Sequence, residues 1–247
     1  MRYFIADLHI HTKLSPCASE EMTPKAIVET ARSVGLDIIA VCDHNSSRNS
    51  AAVMDAGNAH SIIVIPGIEL ETRERIHVIG LFPDVERAID VTREIRVELP
   101  DVDEAYTTRI GEQLLMRADG SSYGSEEKAL ASPSRFNLSA AVGLIQRSGG
   151  LAIAAHVERP SFSVYSQLGD VPCDVPFDAL EVSPVNKKPI GLREKFSRYG
   201  RVLVASSDSH YLFEVGRARS HLLLESPTFE EIGFALHGQG GRSVSLA

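Results

Sequence analysis

Residues Arg2–Thr12 read RYFIADLHIHT. Tyr3, Phe4 and Ile5 form an apolar run of strand-forming residues. Asp7, His9 and His11 then recur at every second position, the side-chain period of an extended strand. This reading places the three side chains on one face. Imidazole is the commonest protein ligand for zinc and similar ions, and two of them at i and i+2 can grip one ion without bending the backbone. By itself His-x-His also describes a solvated strand face. Its weight comes from the chain downstream, which keeps placing His, Asp and Glu just after apolar, strand-like runs.

After the opening strand, Thr12–Met22 is a polar loop. Thr23 is an N-cap with Pro24 at the first helical position, Ile27, Val28, Ala31 and Val34 supply a helical apolar spacing, and Gly35 closes the helix. Leu36–Val41 reads as a buried parallel strand ending in Cys42-Asp43-His44-Asn45. A helix at about 49–60 leads to the strand Ile62–Ile65, which ends in Pro66-Gly67-Ile68-Glu69. A strand at 76–81 contains His77, and a helix follows at about 84–98. Residues 99–135 break the rhythm with Asp, Glu, Ser and Gly and with the turn signals Asp119-Gly120 and Ser132-Pro133; they read as an insertion or lid within one domain spanning 1–247. The rhythm resumes with a helix at 138–148, the strand Leu151–Ala155 delivering His156, a loop at 160–176, the strand Ala179–Val182, a helix near 190–199, and the strand Val202–Ala205 running into SSDSH at 206–210. A strand at 222–225 and a helix at about 228–237 follow. Seven or eight strand–helix units connected in one sense favour an α/β fold with a closed or nearly closed parallel barrel. An open doubly wound sheet would carry a glycine-rich phosphate loop after its first strand, and Asp-Leu-His-Ile-His is not one.

Composition narrows the partners. Lysine and arginine total 25 against 33 acidic residues, a formal charge of −8, so broad adhesion to nucleic acid or an anionic membrane is disfavoured and a nucleic-acid substrate would need a local basic groove. The longest apolar runs fall far short of the roughly 20 residues of a membrane helix. The N-terminal stretch is not a signal peptide. Cys17, Cys42 and Cys173 are an odd, widely spaced set, which argues against a disulfide framework and for a reducing, cytoplasmic compartment.

At the carboxyl ends of the expected strands stand His9, His11, His44, Glu69, His77, His156, Asp208 and His210. In a parallel barrel these ends converge on one face, where catalytic groups lie. The pieces DLHIHT (7–12), DHN (43–45), GIE (67–69), His77, AHVERP (155–160) and SSDSH (206–210) resemble, in kind and in order, the PHP family, the polymerase-and-histidinol-phosphatase domain. The resemblance implies a distorted (β/α)7 TIM-like barrel holding two or three divalent ions (Zn, Mn or Fe). It implies that His9, His11, Glu69 and Asp208 hold one ion, that Glu69 bridges to a second held by His77 and His156, and that His44 and His210 help hold a third. Asp7 and Asp43 would orient imidazoles from behind. One departure stands out: Cys17 falls where some family members carry a ligating His, and a thiolate is a competent ligand for zinc or iron.

Such a cluster suits phosphate-ester hydrolysis, because ions lower the pKa of water towards ~7 and neutralise charge on phosphoryl oxygens. Arg159 and the Lys187-Lys188 pair are candidate phosphate-binding cations, with Arg135 a weaker one. His210, or His44, could protonate the leaving group. The expected activity is therefore a metal-dependent phosphoesterase acting on a phosphorylated small molecule or nucleotide, with Glu69, Arg159 and His210 at the reaction centre. Three rivals remain: a metal-dependent amidohydrolase, a nuclease acting on short oligonucleotides, and a non-catalytic metal-stabilised binding domain. The bridging position holds Glu69 where amidohydrolases typically carry a lysine, which favours phosphoester chemistry.

Overall fold

The computed structural model describes residues 1–183, 195–196 and 198–246. The Lys187-Lys188 pair and most of the helix expected near 190–199 lie outside the described residues. In chain order the strands are β1 (Arg2–Ile10), β2 (Ile38–Val41), β3 (Ile63–Glu71), β4 (His77–Leu81), β5 (Leu114–Met116), β6 (Ser122–Ser125), β7 (Leu151–Ala154), β8 (Ala179–Val182), β9 (Val202–Ala205), β10 (Ser220–Leu224) and β11 (Ser243–Leu246). Nine of them form one sheet in the order β11-β10-β1-β2-β3-β4-β7-β8-β9. Seven strands, β1–β4 and β7–β9, run around the barrel, and the hairpin of β10 and β11 fills the gap, with β11 lying beside β9. The fold is the expected α/β barrel, and the source of its distortion is visible. β4 pairs antiparallel with both β3 and β7, and β10 pairs antiparallel with β1. The all-parallel expectation therefore fails at the His77 strand. β3 runs past Pro66 to Glu71 and turns back through Thr72–Ile76, too short a connection for a parallel crossover.

The helices are α1 (Pro24–Ser33), α2 (Ser50–His60), α3 (Val85–Arg96), α4 (Glu104–Ile110), α5 (Leu138–Arg147), α6 (Val164–Leu168) and α7 (Phe229–Leu236). Their starts follow local chemistry. Thr23, Asp84, Asn137 and Thr228 each accept a first-turn backbone N–H, and Pro24 sits where no N–H is needed. Alternation on the strands sorts the core. Phe4, Ala6 and Leu8 join Ile38, Ala40, Ile65, Ile79, Ile153, Ala179 and Val204 in one cluster, to which α7 adds Ile232, Ala235 and Leu236. Outward-facing residues pack under the helices in two further clusters.

One slip in this alternation matters for the site. Ala6 and Leu8 belong to the first cluster, but Ile10 packs beneath α1 with Ile27, Val28 and Val41. The pairing of β1 with β2 shifts register between Asp7 and Ile10. A bulge of this kind re-aims every side chain after it. Asp7 therefore does not share a face with His9 and His11, contrary to the period-two reading.

The segment at 99–135 folds into α4 and the β5–β6 hairpin and docks against the loop that follows β2. Asn49 is its main fastener. Its Nδ2 donates to Thr12 Oγ1 (2.9 Å) and Leu114 O (3.0 Å), and its Oδ1 accepts from Met116 N (2.9 Å). Buried Glu126 accepts from Arg48 Nη1 at 2.7 Å and Arg96 Nε at 2.9 Å. Asn45 Nδ2 donates to Leu130 O and Ser132 O. Asn49→Ala strands the buried Met116 N–H and two acceptors, so urea denaturation should show a loss of about 3 kcal/mol. A change below about 0.5 kcal/mol, the range of neutral surface substitutions, would show that the hairpin is held by other means.

Candidate metal centre

Two relays set the imidazoles of β1. His9 Nδ1 lies 3.2 Å from both carboxylate oxygens of Glu181. His11 Nδ1 lies 2.8 Å from Ser15 Oγ, which donates to Asp43 Oδ1 at 2.7 Å, so the hydroxyl oxygen accepts from the imidazole. Asp43 is itself fixed by Thr12 N and Thr12 Oγ1, each at 2.7 Å. With Nδ1 protonated on both neutral rings, both Nε2 lone pairs face inward, and those two atoms are 3.1 Å apart. Asp208 Oδ1 stands 3.2 Å from His9 Nε2 and 2.9 Å from His11 Nε2, and Glu69 oxygens lie 3.4 and 3.5 Å from the same two atoms. These separations match the spacing between ligands on one ion, about 3.0–3.4 Å for metal–ligand bonds of about 2.1 Å.

Glu69 is the hub. Its Oε2 lies 2.7 Å from His44 Nδ1, and its Oε1 lies 2.8 Å from His77 Nδ1 and 3.2 Å from His156 Nε2. Glu69 Oε2 and His77 Nδ1 are buried without a hydrogen-bond partner, although each has a polar neighbour within 3 Å. Donor atoms this close that do not point at one another are aimed at shared points between them, as ligands of a common cation are. Ligand atoms converge in three overlapping sets: His9, His11, Glu69 and Asp208; His44, Glu69 and His77; and His11, His44 and His210. The first is the set the sequence assigned to one ion. The second differs, with His44 beside Glu69 and His77 and with His156 reaching only Glu69. Cys17 Sγ lies 3.3 Å from His44 Nε2 and stands outside all three sets.

The electrostatics are those of a centre built around positive charge. Burial alone would raise the Glu69 carboxyl, but His77, His9 and His44 hold it well below the usual carboxylate range. Burial works against the charged form of His9, yet Asp208, Glu181 and Glu69 lift it well above an ordinary imidazole. His11 goes the other way: burial and the charges of His210 and His44 push it well down, against the pull of Asp208.

Backbone conformation delivers the ligands. Asn45, His156 and Asp208, each just past a strand end, have φ of 49°, 30° and 51°. For residues with a Cβ these are strained values of the sort stored at functional sites. Gly67 sits two residues before Glu69, and a Cβ there would fall 2.7 Å from Cys42 Sγ and 3.0 Å from Val41 O and Gly80 O. The glycine lets β3 pass between its neighbours on the way to Glu69.

Asp43 orients an imidazole through Ser15, as expected. Asp7 does not: it accepts from Ser207 N at 2.9 Å and Gly216 N at 2.8 Å, tying the segment around Asp208 to β1. The carboxylate behind His9 is instead Glu181, fully buried, which also accepts from His156 N at 3.0 Å. Its trace in the sequence was a lone acid inside the apolar strand Ala179–Val182, on the same face as Ala179.

A cleft of about 630 Å³ opens on the centre, lined by Cys17, Arg159, Asp208, His210, Tyr211 and Arg217 among others. Arg159 pairs with Asp208 Oδ2, and its buried Nε has no partner. Arg135 is elsewhere, exposed and paired with Glu98. The sequence reading overlooked Tyr211 and Arg217.

The PHP domain profile matches residues 7–168. The chain belongs to the PHP-domain family. Solved structures share the fold at low identity. The lesion-specific endonuclease Q of Pyrococcus furiosus superposes with a TM-score of 0.73 at 18% identity, over 98% of this chain and 57% of that one. A protein described as a metal-dependent phosphoesterase from Bifidobacterium adolescentis gives 0.58 at 18%, over 83% and 87%. An amidohydrolase from Chromobacterium violaceum gives 0.61 at 18%, over 83% and 87%. The chain thus spans little more than half of the endonuclease. PHP domains are metal-dependent hydrolases, and the His, Glu and Asp sets described above have the donor chemistry for such ions.

Two outcomes follow from this geometry. Glu181→Ala removes the acceptor that orients His9, and metal affinity, read by competition with a chromogenic chelator, should fall about 10–100-fold; an unchanged affinity would remove Glu181 from the account. Because the metal-free His9 is held protonated at neutral pH, metal binding should expel about one proton from it and weaken as pH falls. Calorimetry in buffers of different ionisation enthalpy measures that release, and binding without proton release would contradict the assignment.

Proposed function

We propose that the protein is a metal-dependent phosphoric ester hydrolase acting on a phosphorylated small molecule, a nucleotide or a short oligonucleotide. The observation that carries this reading is the Glu69-centred set of converging ligand atoms with the Arg159 guanidinium beside it. Two or three divalent ions of Zn, Mn or Fe held by His9, His11, His44, Glu69, His77, His156, Asp208 and His210 would activate water and neutralise phosphoryl charge. Cys17 is the candidate for an additional ligand through its approach to His44.

The chain's own residues have separate tasks. Arg159 lines the cleft and is fixed by Asp208, so its guanidinium stands beside the ligand sets as a cation for phosphoryl oxygens. His210 lines the same cleft, and its Nδ1 lies 3.0 Å from Asp208 O, to which it donates; when its Nε2 is not ligating an ion, that side can take or give a proton at the leaving oxygen. Burial works against its charge, but the hydrogen bond to Cys17 and the Asp208 carboxylate raise its pKa above the ordinary value. Phosphoryl transfer needs mainly positioning and electrostatics, which this arrangement supplies. A carboxylate at the bridging position, where amidohydrolases typically carry a lysine, favours ester over amide chemistry. No helix among the described residues is long and apolar enough to cross a membrane. The three free cysteines fit a reducing cytoplasm.

A panel of phosphate esters assayed with Mn, Zn and Fe should show turnover that a chelator abolishes and metal restores. Glu69→Ala should lose metal and activity together. Arg159→Ala should retain metal while kcat/KM falls about 100-fold, the scale of losing a charge-assisted contact in the transition state. Amide hydrolysis without ester hydrolysis would overturn the reading.

A further inference from the structure

We infer that Tyr211, backed by Phe213, forms a stacking platform for a nucleobase whose attached phosphate reaches the metal centre. This deepens the phosphoesterase reading and rests on it for the position of the phosphate. Asp208 and His210 are followed at once by two large aromatic side chains that the fold leaves in water: Tyr211 is 47% exposed and Phe213 65%. Their rings stack with centroids 5.4 Å apart and planes 25° from parallel. Single exposed aromatics need no explanation, but Tyr211 lines the cleft and is backed by the Phe213 ring, so it stands there as flat apolar surface held in place for a partner.

The platform is rigid. Leu212–Glu214 is a 3₁₀ turn. Glu214 accepts from His210 N at 3.0 Å and Tyr211 N at 3.2 Å, and Val215 is buried beneath α1 and α2 in the third core cluster. The turn that displays the aromatics is therefore bonded to the backbone of a candidate ligand. Arg217 lies over Phe213 at 5.0 Å and lines the same cleft as Arg159. A flat aromatic ring in the cleft lining, two guanidinium groups and a cation-seeking centre together match a flat heteroaromatic ring joined to a phosphate. The net charge of −8 matches one or a few nucleotides rather than a long polyanion, and among the described residues the lining supplies Arg159 and Arg217 for the phosphate.

The test uses the full metal-loaded chain and two ligands that cannot be hydrolysed: the 5′-phosphonate analogue of adenosine monophosphate, and the matching ribose phosphonate without a base. Calorimetry should show the adenosine compound binding about 5- to 100-fold tighter, the range of base–aromatic stacking. Tyr211→Ala should bring that ratio towards one, and Tyr211→Trp should retain it. Equal affinities in the wild type, a ratio unmoved by Tyr211→Ala, or binding of neither phosphonate would overturn the platform. Turnover of a panel of phosphate esters, nucleotides and base-free esters together, is measured separately with the wild type. Failure on every ester would reject the phosphoesterase reading while leaving the base-dependent binding result to stand on its own.

Discussion

Six imidazoles and three carboxylates packed into one largely buried centre need cations to hold them together. His9 Nε2 and His11 Nε2 face each other at 3.1 Å while their Nδ1 atoms are committed elsewhere, to Glu181 and Ser15. Glu69 gathers five imidazoles around a single carboxylate. The raised affinity of His9 for a proton answers part of that demand, and metal ions held by these side chains would answer it more fully. Removing one partner from such a buried network leaves the others uncompensated, at a cost of several kcal/mol. The fold must therefore deliver every ligand together.

Much of the architecture can be read as that delivery. The barrel brings strand ends separated by nearly the whole chain to one face. A bulge in β1 turns His9 and His11 inward after Leu8 has already packed inward. Reversal of β4 brings His77 to the same carboxylate that β3 carries. Positive φ at Asn45, His156 and Asp208 bends the chain where the strands stop. The supporting groups are as specific as the ligands. Asp43 reaches His11 through Ser15, Asp7 binds the backbone around Asp208, and Glu181 reads both His9 and the His156 amide.

The candidate ligands stood out in the sequence because metal-binding side chains are rare in apolar strands and their recurrence at strand ends is conspicuous. The barrel followed from strand–helix rhythm, and the cap at Thr23 marked a helix start through local chemistry. What escaped the sequence depended on three-dimensional pairing. Period-two reasoning put Asp7 beside His9 because a bulge has no signature in side-chain alternation. Glu181 looked like a stray acid, since its partners are 172 and 25 positions away. The direction of β4 was hidden because an antiparallel return and a parallel crossover can carry the same apolar residues. Tyr211 and Arg217 took on meaning only once the cleft placed them beside Arg159.

The most direct test of the central claim is a crystal structure of the metal-reconstituted protein with anomalous difference maps recorded across the Mn, Fe and Zn edges. The account predicts at least two peaks, one within about 2.3 Å of His9 Nε2, His11 Nε2 and Asp208 and another on the far side of Glu69 towards His77. A fully reconstituted crystal with no anomalous peak bonded to Glu69 would contradict it.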